Sequence, residues 1–160
     1  MTVSIQPITE KQNDDISAII KAVGAEFGAV GEGFGPSDPE VLAMSYYYTL
    51  DKKSLYLVAT LNGKIVGGCG LAPFNDSAQV CELKKLFLLP ESRGLGLGKQ
   101  LSKQCLEFAK EQGFEQCYLD TLKSMESAIK LYEKLGFTHL ENPLDGTEHS
   151  GCDVWMLKTL

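Results

Sequence analysis

The chain is short of positive charge, of histidine and of paired cysteine, and each shortage removes a class of function. Its 160 residues carry 15 Lys and Arg against 21 Asp and Glu, a formal net charge of −6. A nucleic-acid-binding domain normally shows a basic balance or a basic stripe, so that class is set aside. Lys84, Lys85, Arg93, Lys99 and Lys103 form the one local basic cluster, which reads as a solvated face or as cations gathered near an anion. With two histidines in all, the chain offers few ligands for a metal site; His149 and Cys152, three apart, read as a loop histidine and a free cysteine. The five cysteines, at 69, 81, 105, 117 and 152, are odd in number and contain no C-x-x-C, which suits reduced thiols in a cytoplasmic protein. No apolar run approaches the roughly 18 residues of a membrane helix. The start, MTVSIQPITEKQNDD, lacks the charged and then apolar pattern of a signal peptide.

One stretch, RGLGLGKQL from Arg93 to Leu101, holds three glycines at alternate positions followed by a lysine. Glycines spaced in this way let backbone N–H groups close around a phosphate, and each is entropically costly to order. The dinucleotide motif G-x-G-x-x-G fails on spacing: from Gly94 the sixth position is Lys99, and from Gly96 it is Leu101. The P-loop motif fails as well. Gln100 stands where a Mg²⁺-binding hydroxyl belongs, and Arg93 stands where its first glycine belongs.

Length and patterning fit a single domain over residues 1–160, without repeats or linkers. VSIQPI reads as a strand. A helix follows, capped by Asp14 or Asp15, with Ile16, Ile19, Ile20 and Val23 on one face. A Gly/Pro-rich loop leads to a second helix beginning near Pro39, capped by Ser37 or Asp38 and carrying Leu42, Met44 and Tyr46 to Tyr48. SLYLVAT and KIVGGCGLA flank Asn62-Gly63, a strong hairpin signal. QVCELKKLFLL is a third long strand ending at Pro90. A helix then runs from Gly98 to about Gln112, burying Leu97, Leu101, Cys105 and Phe108. EQCYLDTL reads as a strand, and a last helix capped by Ser124 runs to Leu135. Two closing strands lie near 137–141 and 152–158. The order predicts an α/β fold with a mixed, mostly antiparallel sheet and helices on both faces. It places the glycine loop at a helix N-terminus, where the dipole favours an anion.

Arg93-x-x-Gly96-x-Gly98 matches the [RQ]-x-x-G-x-[GA] motif of the GNAT N-acetyltransferase superfamily. SAIKLYEKLGF, from Ser127 to Phe137, is similar to the second signature of that family. The element order resembles the GNAT fold over most of the chain, and EFGAVG and HSGCDVWM resemble a largely uncharacterised bacterial subgroup. The resemblance implies that the phosphate belongs to acetyl-CoA, a co-substrate, with no metal required. It implies that the backbone of Arg93, Gly94, Leu95, Gly96, Leu97, Gly98 and Lys99 cradles the pyrophosphate. The pantetheine arm would lie in a splay between the third long strand and EQCYLDTL, with Leu86, Phe87 and Leu88 holding it and steering the carbonyl. Where the family often has an asparagine that touches pantetheine, this chain has Met125; Ser124 or Ser127 would replace the contact.

Transfer to an amine requires proton removal, carbonyl polarisation and protonation of the departing thiolate. Glu82, eleven residues before Arg93, matches a position where several GNAT enzymes carry a glutamate base; the alternative is a strand glutamate paired with Lys84 or a cross-strand lysine. Tyr132 matches a tyrosine that the family often places near the CoA sulfur as an acid. The alternative is a core tyrosine on the stripe of Ala128, Leu131 and Leu135. Glu26, Glu32, Tyr46, Glu148, His149 and Asp153 are candidates to meet a cationic acceptor, or are ordinary loop residues. The implied activity is acetyl transfer to the primary amine of a small molecule or amino acid derivative, by direct attack in a ternary complex. A protein amine is an alternative acceptor, and a non-catalytic acyl-CoA sensor is an alternative function. No nucleic acid or membrane partner is expected, and a homodimer is left open.

Overall fold

A computed structural model describes residues 1–160. In chain order the elements are β1 (Val3–Pro7), α1 (Asn13–Glu26), α2 (Met44–Tyr47), β2 (Leu55–Leu61), β3 (Lys64–Pro73) and β4 (Val80–Leu88). Then follow α3 (Leu97–Glu111), β5 (Gln116–Thr121), α4 (Glu126–Lys134), β6 (Thr138–Leu140) and β7 (Val154–Thr159). The seven strands form one sheet in the order β1-β2-β3-β4-β5-β7-β6. Every pairing is antiparallel except β4 with β5. The expected α/β, mostly antiparallel sheet is therefore what forms.

Each face of the sheet has its own core. The α1 stripe of Ile16, Ile19, Ile20 and Val23 packs with Tyr48, Tyr56 and Val58 on one side. The α3 stripe of Leu97, Leu101, Cys105 and Phe108 packs with Leu57, Leu71, Leu119 and Met156 on the other. Fully burying a leucine such as Leu101 contributes roughly 1.5–3 kcal/mol. The hairpin turn forms as its sequence dictates, with Asn62 (φ 51°) and Gly63 (φ 83°) both left-handed.

Three local expectations are corrected. Asp14 and Asp15 lie in the first turn of α1, while the approach is shaped by a capping box in which the Thr9 backbone N–H donates to Gln12 Oε1 at 3.0 Å. The second helix is a 3-10 turn, Pro39–Ala43, followed by the single α turn of α2. Asp38 holds the N-cap position, but its carboxylate is engaged by Lys85 and His149, leaving the first turn uncapped. Ser124 does not cap α4; its hydroxyl donates to the Phe27 carbonyl at 2.7 Å and ties α4 to the end of α1.

Two irregularities in the centre of the sheet position the site. The parallel pairing of β4 with β5 extends only through Val80–Gln116, Cys81–Cys117 and Glu82–Tyr118; beyond these pairs the strands splay apart. On the other edge of β4 the register to β3 jumps between Gly68–Phe87 and Gly70–Lys84. The bulge places Lys85 at φ 57°. A non-glycine residue holds such a conformation only where its surroundings over-determine it. Here the Tyr56 hydroxyl donates to the Lys85 carbonyl at 2.9 Å, and Lys85 Nζ pairs with Asp38 at 2.8 Å and Glu40 at 3.1 Å. A side chain on Gly68 would meet the Tyr56 ring at 2.4 Å, so the small residue in β3 is what admits that tyrosine.

Candidate active site

The splay opens onto a groove of about 670 Å³. One wall is Leu86 to Leu88 of β4, the opposite wall is Ser127, Ala128 and Leu131 of α4, and the end is the turn from Ser92 into α3. Gly94 (φ 79°) and Gly96 (φ 78°) are left-handed, and a Cβ on either would stand in open space, with nothing within 4 Å. The space beside them is the groove, so the glycines keep the backbone approachable at the N-terminus of a 15-residue helix. Lys99 and Lys134 line the same end. Such a cradle, which side chains would fill, fits a phosphate-bearing ligand.

Of the residues expected to hold the cofactor, Leu86, Phe87, Leu88, Arg93, Gly94, Gly96, Leu97, Gly98, Lys99 and Ser127 line this groove. Leu95 does not; its side chain is exposed outside it. The Arg93 guanidinium is turned toward α1. Its Nη1 and Nη2 donate to the Glu26 carboxylate at 2.7 and 2.8 Å, and Nε donates to the Leu88 carbonyl at 3.1 Å. The basic cluster divides: Lys84 and Lys85 are enclosed among carboxylates, Arg93 is paired with Glu26, and Lys99 and Lys103 are exposed.

Leu86, Phe87 and Met125 also line a second, smaller cavity of about 60 Å³, and so form a wall common to both. Both Glu82 and Tyr132 face it, together with Asp120, His149, Cys152 and Phe34. Tyr132 is 7% exposed and packs on Phe137, and no hydrogen bond shapes its acidity; burial chiefly pushes the phenol well above its ordinary range. It stays protonated, and its hydroxyl is free to donate. Glu82 is 7% exposed. Burial, with Asp120 beside it, raises its pKa, against the lowering effect of Lys84, His149 and Lys85. Lys84 Nζ lies 3.9 Å from Glu82, so the lysine pairing expected as an alternative does form, without removing the carboxylate from the cavity.

His149 is no ordinary loop histidine. Its Nδ1 lies 2.8 Å from Asp120 Oδ1 and its Nε2 2.8 Å from Asp38 Oδ2. A proton on each ring nitrogen lets both donate to these carboxylates, which makes the ring an imidazolium. Burial works against that charge, but the two hydrogen-bonded carboxylates prevail and lift its pKa to about 10. Asp38 is correspondingly held down at about 2: burial opposes its charge, and His149 and Lys85 more than offset it. Glu40 completes the network, accepting from the Tyr48 hydroxyl and pairing with Lys84 at 3.5 Å. Atoms of Glu82, Asp120 and His149 come within 4.8 Å of one another, a donor set that an ion could bridge only after His149 gave up a proton.

Of the six acceptor candidates, only His149 reaches the cavity. Glu26 is paired with Arg93, and Asp153 accepts from the Lys123 N–H at 2.9 Å. Glu32, Tyr46 and Glu148 are exposed. Sequence reasoning missed Asp38 and Asp120. An aspartate inside the apolar strand QCYLDT was the available signal for the latter, since strands disfavour it.

A splayed mixed sheet with a glycine-lined helix N-terminus at its mouth suits a phosphate-bearing ligand, and the comparisons with known proteins put the chain among the acyl-group transferases. The chain belongs to the GNAT acetyltransferase family, whose sequence model matches residues 23–137, and it is an N-acetyltransferase. It is 39% identical over 155 residues to the uncharacterized N-acetyltransferase YjgM of Escherichia coli K12, covering 96% of this chain and 92% of that protein. Its fold is similar to that of a GNAT-family acetyltransferase from Staphylococcus aureus Mu50 (TM-score 0.83, 22% identity, 99% of each chain). It is also similar to yncA of Salmonella typhimurium, solved with its cofactor acetyl-CoA (TM-score 0.80, 19% identity, 99% of this chain and 94% of that one). No helix is long and apolar enough to cross a membrane.

Proposed function

We propose that the protein transfers an acetyl group from acetyl-CoA to the primary amine of a small molecule or amino acid derivative, by direct attack in a ternary complex. The observation that carries this reading is the wall of Leu86, Phe87 and Met125 that the glycine-lined groove shares with the small cavity that both Glu82 and Tyr132 face. Acetyl-CoA, when bound, supplies a thioester whose carbonyl is attacked and whose sulfur leaves as a thiolate. Backbone N–H groups of residues 93–99 and the positive end of α3 would hold its pyrophosphate. Leu86 to Leu88, past the bulge, would present backbone to the arm and to the developing oxyanion.

The acceptor arrives as an ammonium, which has no lone pair. Glu82, buried and with a raised pKa, would take its proton. Tyr132, protonated and facing the same cavity, would return a proton to the sulfur. The network holds four carboxylates (Asp38, Glu40, Glu82, Asp120) against three cations (Lys84, Lys85, His149), so a cationic acceptor meets a net negative site. The small volume supports a small amine over a protein chain. So does the bridge where the Gly151 N–H donates to the Gly33 carbonyl at 2.9 Å, joining the two loops beside the cavity.

The test is calorimetric titration with acetyl-CoA, followed by thiol release over a panel of amines, amino acids and peptides. Binding with release for small amines is expected. Binding without release for any acceptor points to a sensor, and release only with peptides points to a protein amine.

A further inference from the structure

A buried base is only as useful as its neighbours make it, and the neighbours of Glu82 are arranged with opposite signs. Desolvation alone would keep Glu82 protonated and unable to accept a proton. Its nearest cation is His149, with Nδ1 3.6 Å from Glu82 Oε2; Lys84 follows at 3.9 Å and is shared with Glu40. Lys85 acts from the bulge, and Asp120 supplies the opposing negative charge from β5. Around His149 stand Asp120, Asp38 and Glu82; Lys85 shares Asp38 Oδ2, and the Cys152 thiol lies against Asp120. Asp120 is itself fixed by the Thr147 hydroxyl, which donates at 2.5 Å. Since both nitrogens of His149 are donating, the ring has no lone pair with which to relay a proton. It cannot act as the base, and toward Glu82 it acts through its charge.

We propose that His149, clamped as an imidazolium between Asp38 and Asp120, is the positioning residue that sets the proton affinity of Glu82. Its charge favours the carboxylate, while Asp120 beside it keeps that carboxylate basic. The proposal rests on Glu82 acting as the base. It predicts opposite effects for the two partners. Removing the cation raises the Glu82 titration midpoint; removing the anion lowers it, because Asp38 still holds His149 charged.

The test is the pH titration of the Glu82 side-chain carboxyl by ¹³C NMR, assigned through its loss in Glu82→Gln, in the wild type, His149→Gln and Asp120→Asn. The expected midpoint moves up by about one to three pH units in His149→Gln, the effect of a close opposite charge, and down in Asp120→Asn. If His149 merely braces the loops, its loss admits water and moves the midpoint in His149→Gln down instead of up. That result, or an unmoved midpoint, overturns the proposal.

Acetyl-CoA affinity, read by calorimetry at the separate groove, reports whether each variant is folded. Should His149→Gln fail to fold, His149→Asn takes its place, and an unchanged or lowered midpoint there is fatal. Imidazole ¹⁵N signals of the wild type at about pH 8 must show two protonated nitrogens; a neutral ring also overturns the proposal. Failure of the base assignment looks different: Glu82→Gln would then release thiol at the wild-type rate while the midpoints moved as predicted.

Discussion

Glu82→Gln preserves the size and most of the polarity of the side chain but removes its ability to take a proton. With a cognate amine, kcat should fall by about 10²–10⁴-fold, the usual contribution of a positioned base, with acetyl-CoA affinity nearly unchanged. Initial-rate kinetics beside calorimetry separates the two, and wild-type kcat would show that the amine loses its proton elsewhere. Tyr132→Phe is a milder case. A thiol with pKa near 8.5 leaves readily, so the expected loss in turnover is about tenfold, again with affinity retained. Unaltered turnover would reduce Tyr132 to its packing against Phe137. At this scale, sequence legibility followed distance along the chain. Glu82, Tyr132 and the glycines sit in or near linear motifs, and they were readable. Asp38, Asp120 and His149 come from three segments up to 111 residues apart and carry no motif, so only folding reveals the cluster.

The glycine turn at the start of α3 behaves as an element whose side chains mostly face away from its function. Its two left-handed glycines border open groove, whereas a Cβ on Gly98 would meet the Leu131 side chain at 3.4 Å. Gly96→Glu puts a strained side chain and a negative charge into the cradle. Two like charges about 4 Å apart repel by about 4 kcal/mol at the effective dielectric of a protein surface, so acetyl-CoA binding should be lost in calorimetry while the fold persists. Arg93 gives a subtler outcome. If its guanidinium anchors the turn through Glu26, Arg93→Ala and Glu26→Gln should each weaken acetyl-CoA binding a few-fold. If it contacts phosphate instead, removing the Glu26 charge should leave binding unchanged or tighten it. The splay was expected only from the family resemblance, whereas the hairpin was legible because Asn-Gly chemistry is a local property. The second helix was not, because Asp38 and Glu40, which look like a helix start in sequence, are drawn off by Lys84, Lys85 and His149 from other elements.

Across the whole molecule, the same ionic network joins the loop before α2, the central strands β4 and β5 and the loop before β7, so its titration becomes a property of the fold. His149 titrates at about 10 in the folded chain against an ordinary 6.5. A group with a raised pKa stabilises the fold fully below its unfolded value and loses that effect as pH rises through the folded one. Its contribution is therefore complete below 6.5 and fades between 6.5 and 10. Asp38 has the opposite sign: held at about 2 against 3.8, it stabilises above 3.8 and ceases to do so as pH falls toward 2. The two effects describe one interaction from its two ends and are not added. Glu82, raised by burial, has the same sign as His149 but an earlier onset: its cost begins as pH rises above 4.5 and the carboxylate forms inside the protein. Stability should thus be greatest between 3.8 and 4.5 and fall further above 6.5 by a few kcal/mol, since a tenfold change in proton affinity corresponds to about 1.4 kcal/mol. For a chain of this size that is roughly 5–10 °C in Tm between about pH 6 and pH 9.5. Calorimetric melts of the wild type should show this slope. His149→Gln should lie lower at pH 6, by about 3–5 kcal/mol for a broken buried pair, and run nearly flat above it. A wild-type Tm independent of pH across that range would mean that His149 is neutral in the folded protein and that the clamp between Asp38 and Asp120 holds no charge.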